Sequence, residues 1–232
     1  MEIRQFFYGG DNLGYLLTAG GQAMAIDGGA VEAIVAEVQR NRLTLSYVTN
    51  THDHGDHTTG TQRLVQASGA EYLDHRRFAD GDTVDLGGER VSVRLTPGHT
   101  MDSVSFAAAN FLVTGDTLFN GTVGNCFSGD LKAFYGSICL LMGYPGATRI
   151  YAGHDYVRDA LAFARHLTPG NPAIDAYAAA YDRNHVVSTL DAELAVNPYL
   201  RFNAPDVIRL LESKGLPTDT EYRRWEGVMA LE

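Results

Sequence analysis

The sequence predicts an α+β fold, a sandwich of sheets and helices followed by a helical segment. Three observations lead there. Up to residue 157, short apolar or alternating runs of strand length are interleaved with helical patterns. From about Arg158 onward no convincing strand is visible and the spacing is helical throughout. Strand after strand also ends on a histidine or an aspartate, which gathers polar chemistry at strand ends. The implied division is a first domain over 1–157 and a helical one over 158–232.

Leu13 to Thr18 and Ala23 to Asp27 read as strands joined by the hairpin turn Ala19-Gly20-Gly21-Gln22. Val31, Ile34, Val35 and Val38 then recur at i, i+3, i+4 and i+7, the apolar stripe of a helix lying on a sheet. Leu45 to Asn50 reads as a strand, Gly60 to Ser68 as a helix, and Ala70 to Leu73 as another strand. Val91, Val93 and Leu95 alternate, and Phe106 to Val113 suggests a hairpin turning near Ala109-Asn110. Leu131 to Met142 reads as a helix and Arg149 to Ala152 as the last strand. Beyond it, helices are expected over Ala160–Leu167, Ala173–Asn184, Ser188–Val196, Pro205–Lys214 and Thr220–Met229. Ser188 with Asp191 resembles a capping box, and Gly215-Leu216-Pro217 a helix stop.

Between the strand at 45–50 and the helix at 60–68 stands Thr51-His52-Asp53-His54-Gly55-Asp56-His57. Three imidazoles and two carboxylates so close together are costly to bury unless a divalent metal coordinates them. Further ligand types recur at strand ends, each directly after a glycine: His99, Asp116 and His154. His75, His166 and His185 lack such a setting. Asp27, at the end of its strand, suits either a buried hydrogen-bonding role near the site or a simple turn. Asp53 and Asp155, beside ligands in sequence, are expected to be structural.

The net charge of −10 argues against nucleic acid or an anionic membrane as partner. Two cysteines, Cys126 and Cys139, are too few for a disulfide framework. The N-terminal residues carry no secretory pattern and no run is apolar enough to span a bilayer. A cytoplasmic enzyme with a small-molecule substrate is expected, as a monomer or small homo-oligomer.

The order His-x-His-x-Asp-His, then a lone His, Asp and His at strand ends, resembles the metal-site pattern of the metallo-β-lactamase fold. Within that superfamily, Thr114-Gly115-Asp116-Thr117-Leu118-Phe119, Gly153-His154-Asp155-Tyr156, Phe163-Ala164-Arg165-His166 and Asn197-Pro198-Tyr199-Leu200-Arg201 resemble glyoxalase II, the hydroxyacylglutathione hydrolases. The resemblance implies an αββα sandwich with a C-terminal helical domain that supplies part of the substrate site. It also implies two divalent ions, zinc first, with iron or manganese equally suited to the ligands. His52, His54 and His99 would hold one ion. Asp56, His57 and His154 would hold the other, with Asp116 bridging.

Seven ligands exceed what one tetrahedral ion needs. Two cations about 3.5–4 Å apart hold a hydroxide and bring its pKa towards neutrality. Asp56 and Asp116 would keep that hydroxide in place, so no serine or cysteine nucleophile is required. The expected reaction is hydrolysis of a thioester, S-2-hydroxyacylglutathione such as S-lactoylglutathione, to a hydroxy acid and a free thiol. The alternatives are a mononuclear iron oxidoreductase of the persulfide dioxygenase type, a hydrolase using another thiol carrier, and a binding module without turnover.

The resemblance places substrate contacts at Tyr156, Asn125, Phe127, Arg223 and Arg224. Two cationic positions of the family pattern are missing. Asn125 stands where a Lys or Arg is usual, and Glu226 falls where a Lys follows the arginine pair. Phe127 replaces a frequent Tyr. Lys132 could supply a charge from a shifted position. Either glutathione binds weakly here or a different carrier is preferred.

Overall fold

The computed structural model describes residues 1–231. In chain order it runs β1 (Glu2–Tyr8), β2 (Asn12–Ala19), β3 (Gln22–Ile26), α1 (Val31–Arg40), β4 (Thr44–Thr49), α2 (Gly55–Thr58), α3 (Thr61–Ser68) and β5 (Glu71–Tyr72). It continues with β6 (Thr83–Leu86), β7 (Glu89–Leu95), β8 (Val104–Ala108), β9 (Phe111–Gly115), α4 (Leu131–Met142), β10 (Arg149–Ala152) and α5 (Val157–Leu167). The tail holds α6 (Ala173–Ala180), β11 (Ser188–Thr189), α7 (Leu190–Val196), α8 (Pro205–Ser213) and α9 (Glu221–Met229).

Two sheets face each other, one in the order β1-β2-β3-β4-β5 and one in the order β11-β10-β9-β8-β7-β6. The period-two rule sorts their side chains. Leu13, Tyr15 and Leu17 of β2 point between the sheets to meet Val91, Val93, Phe106 and Val113. Leu16, one residue out of phase, joins Val31 and Ile34 of α1 and Leu64 of α3 on the outer face. On the other outer face Leu112 and Ile150 pack against Phe134, Ile138 and Leu141 of α4. These are the four layers of an αββα sandwich. The C-terminal helices add Trp225, Val207 and Leu211 to the α4 side and Ile174, Tyr177 and Val196 to the inter-sheet core. The helical segment therefore shares its cores with the sandwich.

The structure departs from the sequence reading in five places. β1 went unseen because adjacent Phe6 and Phe7 mask the alternation of a half-exposed edge strand. β6 is only four residues long. The helical tail contains a strand, β11, which pairs antiparallel with β10. The helix expected from Ser188 starts at Leu190 instead, with Thr189, not Ser188, accepting from Ala192 N as its cap. The helix expected to reach Asn184 ends at Ala180, where Tyr181 turns extended. Gly215 does terminate α8, with φ of 70°. Among the described residues no helix is long and apolar enough to cross a membrane.

Candidate metal centre

The C-terminal ends of β4, β7, β9 and β10 lie along one edge of the sandwich. Backbone bonds stitch that edge: Gly153 N donates to Gly115 O, Val104 N to Thr51 O, and Leu13 N to Gly153 O. Close approach here needs glycine. A Cβ at Gly153 would collide with Asp116 Oδ1, and one at Gly115, where φ is 49°, with the Thr51 side chain. His52 and His54 leave β4, His57 stands on α2, His99 follows β7, Asp116 follows β9 and His154 follows β10.

All seven predicted ligands meet there. His52, His54, His99 and Asp116 form one group, and Asp56, His57 and His154 another, with the candidate ligand atoms of each group within 4.8 Å of one another. Asp116 reaches both groups. Its Oδ2 lies 3.4 Å from His99 Nε2 and 3.5 Å from His154 Nε2, and its Oδ1 lies 3.3 Å from His57 Nε2.

The outward partners fix the ring tautomers. His57 Nδ1 faces Asp27 Oδ2 at 3.0 Å and His154 Nδ1 faces Asp11 Oδ1 at 3.0 Å. His99 Nδ1 faces the Asn125 carbonyl at 2.9 Å. The Thr51 hydroxyl donates to Asp27 Oδ2, so His52 Nδ1 donates to Thr51 Oγ1 at 3.0 Å. All four acceptors demand the proton on Nδ1, which makes Nε2 the nitrogen that faces inward, and on His52 and His99, whose charged forms are disfavoured, it carries a bare lone pair. Only His54 offers Nδ1 to the centre, 2.9 Å from His52 Nε2 and 3.0 Å from His99 Nε2. One atom can carry one proton, so at least one of these nitrogen pairs faces lone pair to lone pair. Asp116 Oδ1 is likewise buried without a hydrogen-bond donor. A cation satisfies all of these atoms at once, and the imidazole and carboxylate donor set suits zinc, iron or manganese.

Electrostatics divide the centre. Burial pushes His52 down to about 3, helped by the charge of His57. Burial also lowers His99. Burial opposes the charge on His57 too, but Asp27 and Asp116 outweigh it and raise the imidazole to about 11. For His154 burial is overcome by Asp116 and Asp11, with a net rise. Asp116 is itself held well below the carboxylate range, because His154 and His57 outweigh its burial.

Asp27 is the hub of the buried support, accepting from Thr51 N at 2.8 Å besides His57 and the Thr51 hydroxyl. Its hydrogen-bonding role is the reading the geometry favours. Asp53 lies 3.4 Å from Arg76 on the surface and Asp155 accepts from Tyr181 Oη, so both are structural. Tyr156 stacks on His154 with ring centroids 5.0 Å apart and planes 4° from parallel. Phe127, 67% exposed, packs its ring against His54 and His99. Asn125 serves through its backbone oxygen. Arg223 is paired with Glu226 at 2.7 Å, and Arg224 donates to Asn203 Oδ1 and Thr218 O. Both arginines are thus engaged within the helical segment.

Three contributors escaped the sequence reading. Asp11 sits in the turn after the unseen β1 and Asn12 opens β2, with Asn12 Nδ2 donating to Asp56 Oδ2 at 2.8 Å. Their signal was the Gly9-Gly10-Asp11-Asn12 turn directly before a strand. Glu193, fully buried, accepts from Tyr177 Oη at 2.6 Å, Ser188 Oγ at 2.5 Å and Gly121 N at 2.8 Å. It ties α7 to the loop that continues from Asp116.

The two-sheet core and the ligand-bearing strand ends define a metallo-β-lactamase fold. The ETHE1 crystal structure from Myxococcus xanthus superposes with a TM-score of 0.69 at 26% identity, covering 98% of this chain and 100% of that one. The B3 metallo-β-lactamase BLEG-1 matches in fold with a TM-score of 0.67 at 20% identity, over 86% and 99% of the two chains. Residues 155–225 match the family model for the hydroxyacylglutathione hydrolase C-terminus. The hydroxyacylglutathione hydrolase of Anaeromyxobacter dehalogenans is 38% identical over 86% of each chain, and that of Idiomarina loihiensis 31% identical over 88% of this chain and 90% of its own. The chain belongs to the hydroxyacylglutathione hydrolase, or glyoxalase II, family.

Proposed function

We propose that the protein is a metal-dependent thioester hydrolase that cleaves S-2-hydroxyacylglutathione, such as S-lactoylglutathione, or a close acyl-thiol. The observation that carries this reading is the convergence of imidazole ring nitrogens around Asp116, whose two oxygens face the two halves of the centre. His52, His54 and His99 would hold one divalent ion and Asp56, His57 and His154 the other, with Asp116 between them. Zinc is the first choice. Bound there, the ions would supply an ionised water at neutral pH and an electrophile for the carbonyl oxygen.

The chain's own residues do the rest. Asn12 holds Asp56 through Oδ2, which fixes the carboxylate where it can orient an incoming water. Asp56 is nearly half exposed, so the centre opens to solvent on its side. Tyr156 and Phe119 wall the His154 side, with ring centroids 5.1 Å apart. Phe127 walls the His54 side. A leaving thiolate is a weak base, so no strong general acid is needed at that step. Residues 1–157 then carry the catalytic centre and 158–232 complete the substrate side. The cytoplasm, where a low-molecular-weight thiol is plentiful, suits such an enzyme.

Hydrolysis of S-lactoylglutathione, followed with metal content on one sample, tests this. Turnover with close to two ions per chain is expected. A single ion at saturation, together with oxygen uptake, would instead establish the mononuclear iron oxidoreductase.

A further inference from the structure

Behind His154 the surface folds into a second cleft of about 350 Å³. It adjoins the centre directly. Asp11 and Tyr156 line the cleft, and the same two residues touch His154, one through Nδ1 and one by ring stacking. Arg158, at the start of α5, and Arg183, just after α6, also line it. Both guanidiniums are exposed, and among the described residues neither has a hydrogen bond or ion pair. Arg223 and Arg224 differ in this respect, since both are engaged.

The acids of the cleft sharpen its chemistry. Asp11 is engaged by His154, and Asp155 by the Tyr181 hydroxyl at 2.5 Å. Asp159 remains without a partner among the described residues. The cleft therefore presents two guanidiniums without an ion-pair partner among the described residues and three carboxylates, of which Asp159 has no hydrogen-bond partner, beside the aromatic faces of Phe7, 44% exposed, and Tyr156. Two guanidiniums match the oxygens of one carboxylate, and a lone aspartate matches an ammonium. Asn125 and Glu226 meanwhile remove two cations from the region where the family pattern places them.

We propose that this cleft is the carrier subsite: Arg158 and Arg183 hold the carboxylate, and Asp159 the ammonium, of an α-amino-carboxylate end on the thiol carrier. The proposal rests on the thioesterase reading. It assigns the recognition of the carrier to residues outside the metal centre and outside α9. The contacts are exposed and therefore weaken with added salt.

The test compares the holoenzyme with R158Q/R183Q on two substrates, S-lactoylglutathione and the uncharged S-lactoyl-2-mercaptoethanol. The ratio of their kcat/KM values should fall on the order of tenfold at low ionic strength, through KM for the glutathione thioester. Binding of the non-hydrolysable S-methylglutathione, read by calorimetry, should weaken by a similar factor. D159N should weaken it for S-methylglutathione but not for an analogue lacking the amino group. R165Q, on a guanidinium already paired with Asp175, is the control and should leave the ratio unmoved. A parent enzyme that cleaves both thioesters, with a ratio and a calorimetric affinity indifferent to R158Q/R183Q, overturns the subsite. A parent that cleaves neither thioester overturns the thioesterase reading instead.

Discussion

The two halves of the centre use the same imidazole donors but set them against different backing. His57 and His154 lean on the carboxylates of Asp27 and Asp11. His52 and His99 lean on neutral oxygens, the Thr51 hydroxyl and the Asn125 carbonyl. The first pair is consequently pulled towards the protonated form and the second pushed away from it. A carboxylate behind an imidazole makes it a stronger donor to a metal and also a tighter holder of a proton. In the half containing His52, the imidazoles of His52 and His99 are preformed neutral ligands. The half containing His57 must give up a proton before it can bind.

Asp116 is the one group common to both halves, so its removal should do the most damage. Asp116→Ala is expected to lower turnover by more than about a hundredfold, beyond the upper range for loss of an outer-sphere partner. It should also bring metal content below two ions per chain, measured by elemental analysis after gel filtration. Near-normal activity with two ions retained would place the shared carboxylate elsewhere.

Acid should separate the halves. His57 is raised to about 11 in the metal-free protein, so a proton competes with metal across the whole range below that value. Each pH unit then weakens binding at that half by about tenfold for one displaced proton, or about a hundredfold between pH 8 and 6. His52, lowered to about 3, is neutral throughout that range and offers no such competition. Calorimetric metal titrations in buffers of differing ionisation enthalpy should show one proton-releasing event and one nearly silent event. Asp27→Asn sharpens the contrast: it should lower the proton affinity of His57 and weaken metal at that half by about ten- to a hundredfold. Two binding events with equal proton release would erase the distinction.

The same contrast explains what the sequence showed. Ligands such as His99 and His154 were legible because each follows a short apolar run and a glycine, a local signal of a strand end. The backing residues were mostly not legible. Asp27 was suggested by its place after β3, but Asp11 lies 143 residues from His154 in the chain and is brought to it by backbone pairing between residues 11–13 and 153–155. Glu193 looked like one more acid on a helix, because the capping pattern drew attention to Asp191. Its burial comes from packing between α6, α7 and the loop at Gly121, which spacing does not record. A sandwich of sheets and helices was legible from alternation and period, and its αββα layering from the resemblance to the metallo-β-lactamase fold. β11 was not, since two residues carry no pattern.

The smallest expected effect concerns Asn125 and Glu226, which lie outside the cleft of the two free arginines. Asn125 touches the centre only through its backbone oxygen, so its side chain can change without disturbing the His99 contact. Glu226 neutralises Arg223 at 2.7 Å and is held below the usual carboxylate range first by that arginine and then by Tyr222. Replacing Glu226 by Lys would release Arg223 and add a second cation, and Asn125→Lys would add a third. The double variant should lower KM for S-lactoylglutathione by on the order of tenfold and leave kcat nearly unchanged, because a remote carboxylate is gripped equally in ground and transition states. The surface position keeps the gain modest, since exposed pairs contribute about 0–1 kcal/mol each. If KM falls equally for the uncharged lactoyl thioester, the new lysines act on the acyl side or on the centre itself, and the carrier does not lie along α9. If it falls only for the glutathione thioester, the carrier can be held from both flanks, and the native chain differs from its relatives in which flank carries the charge.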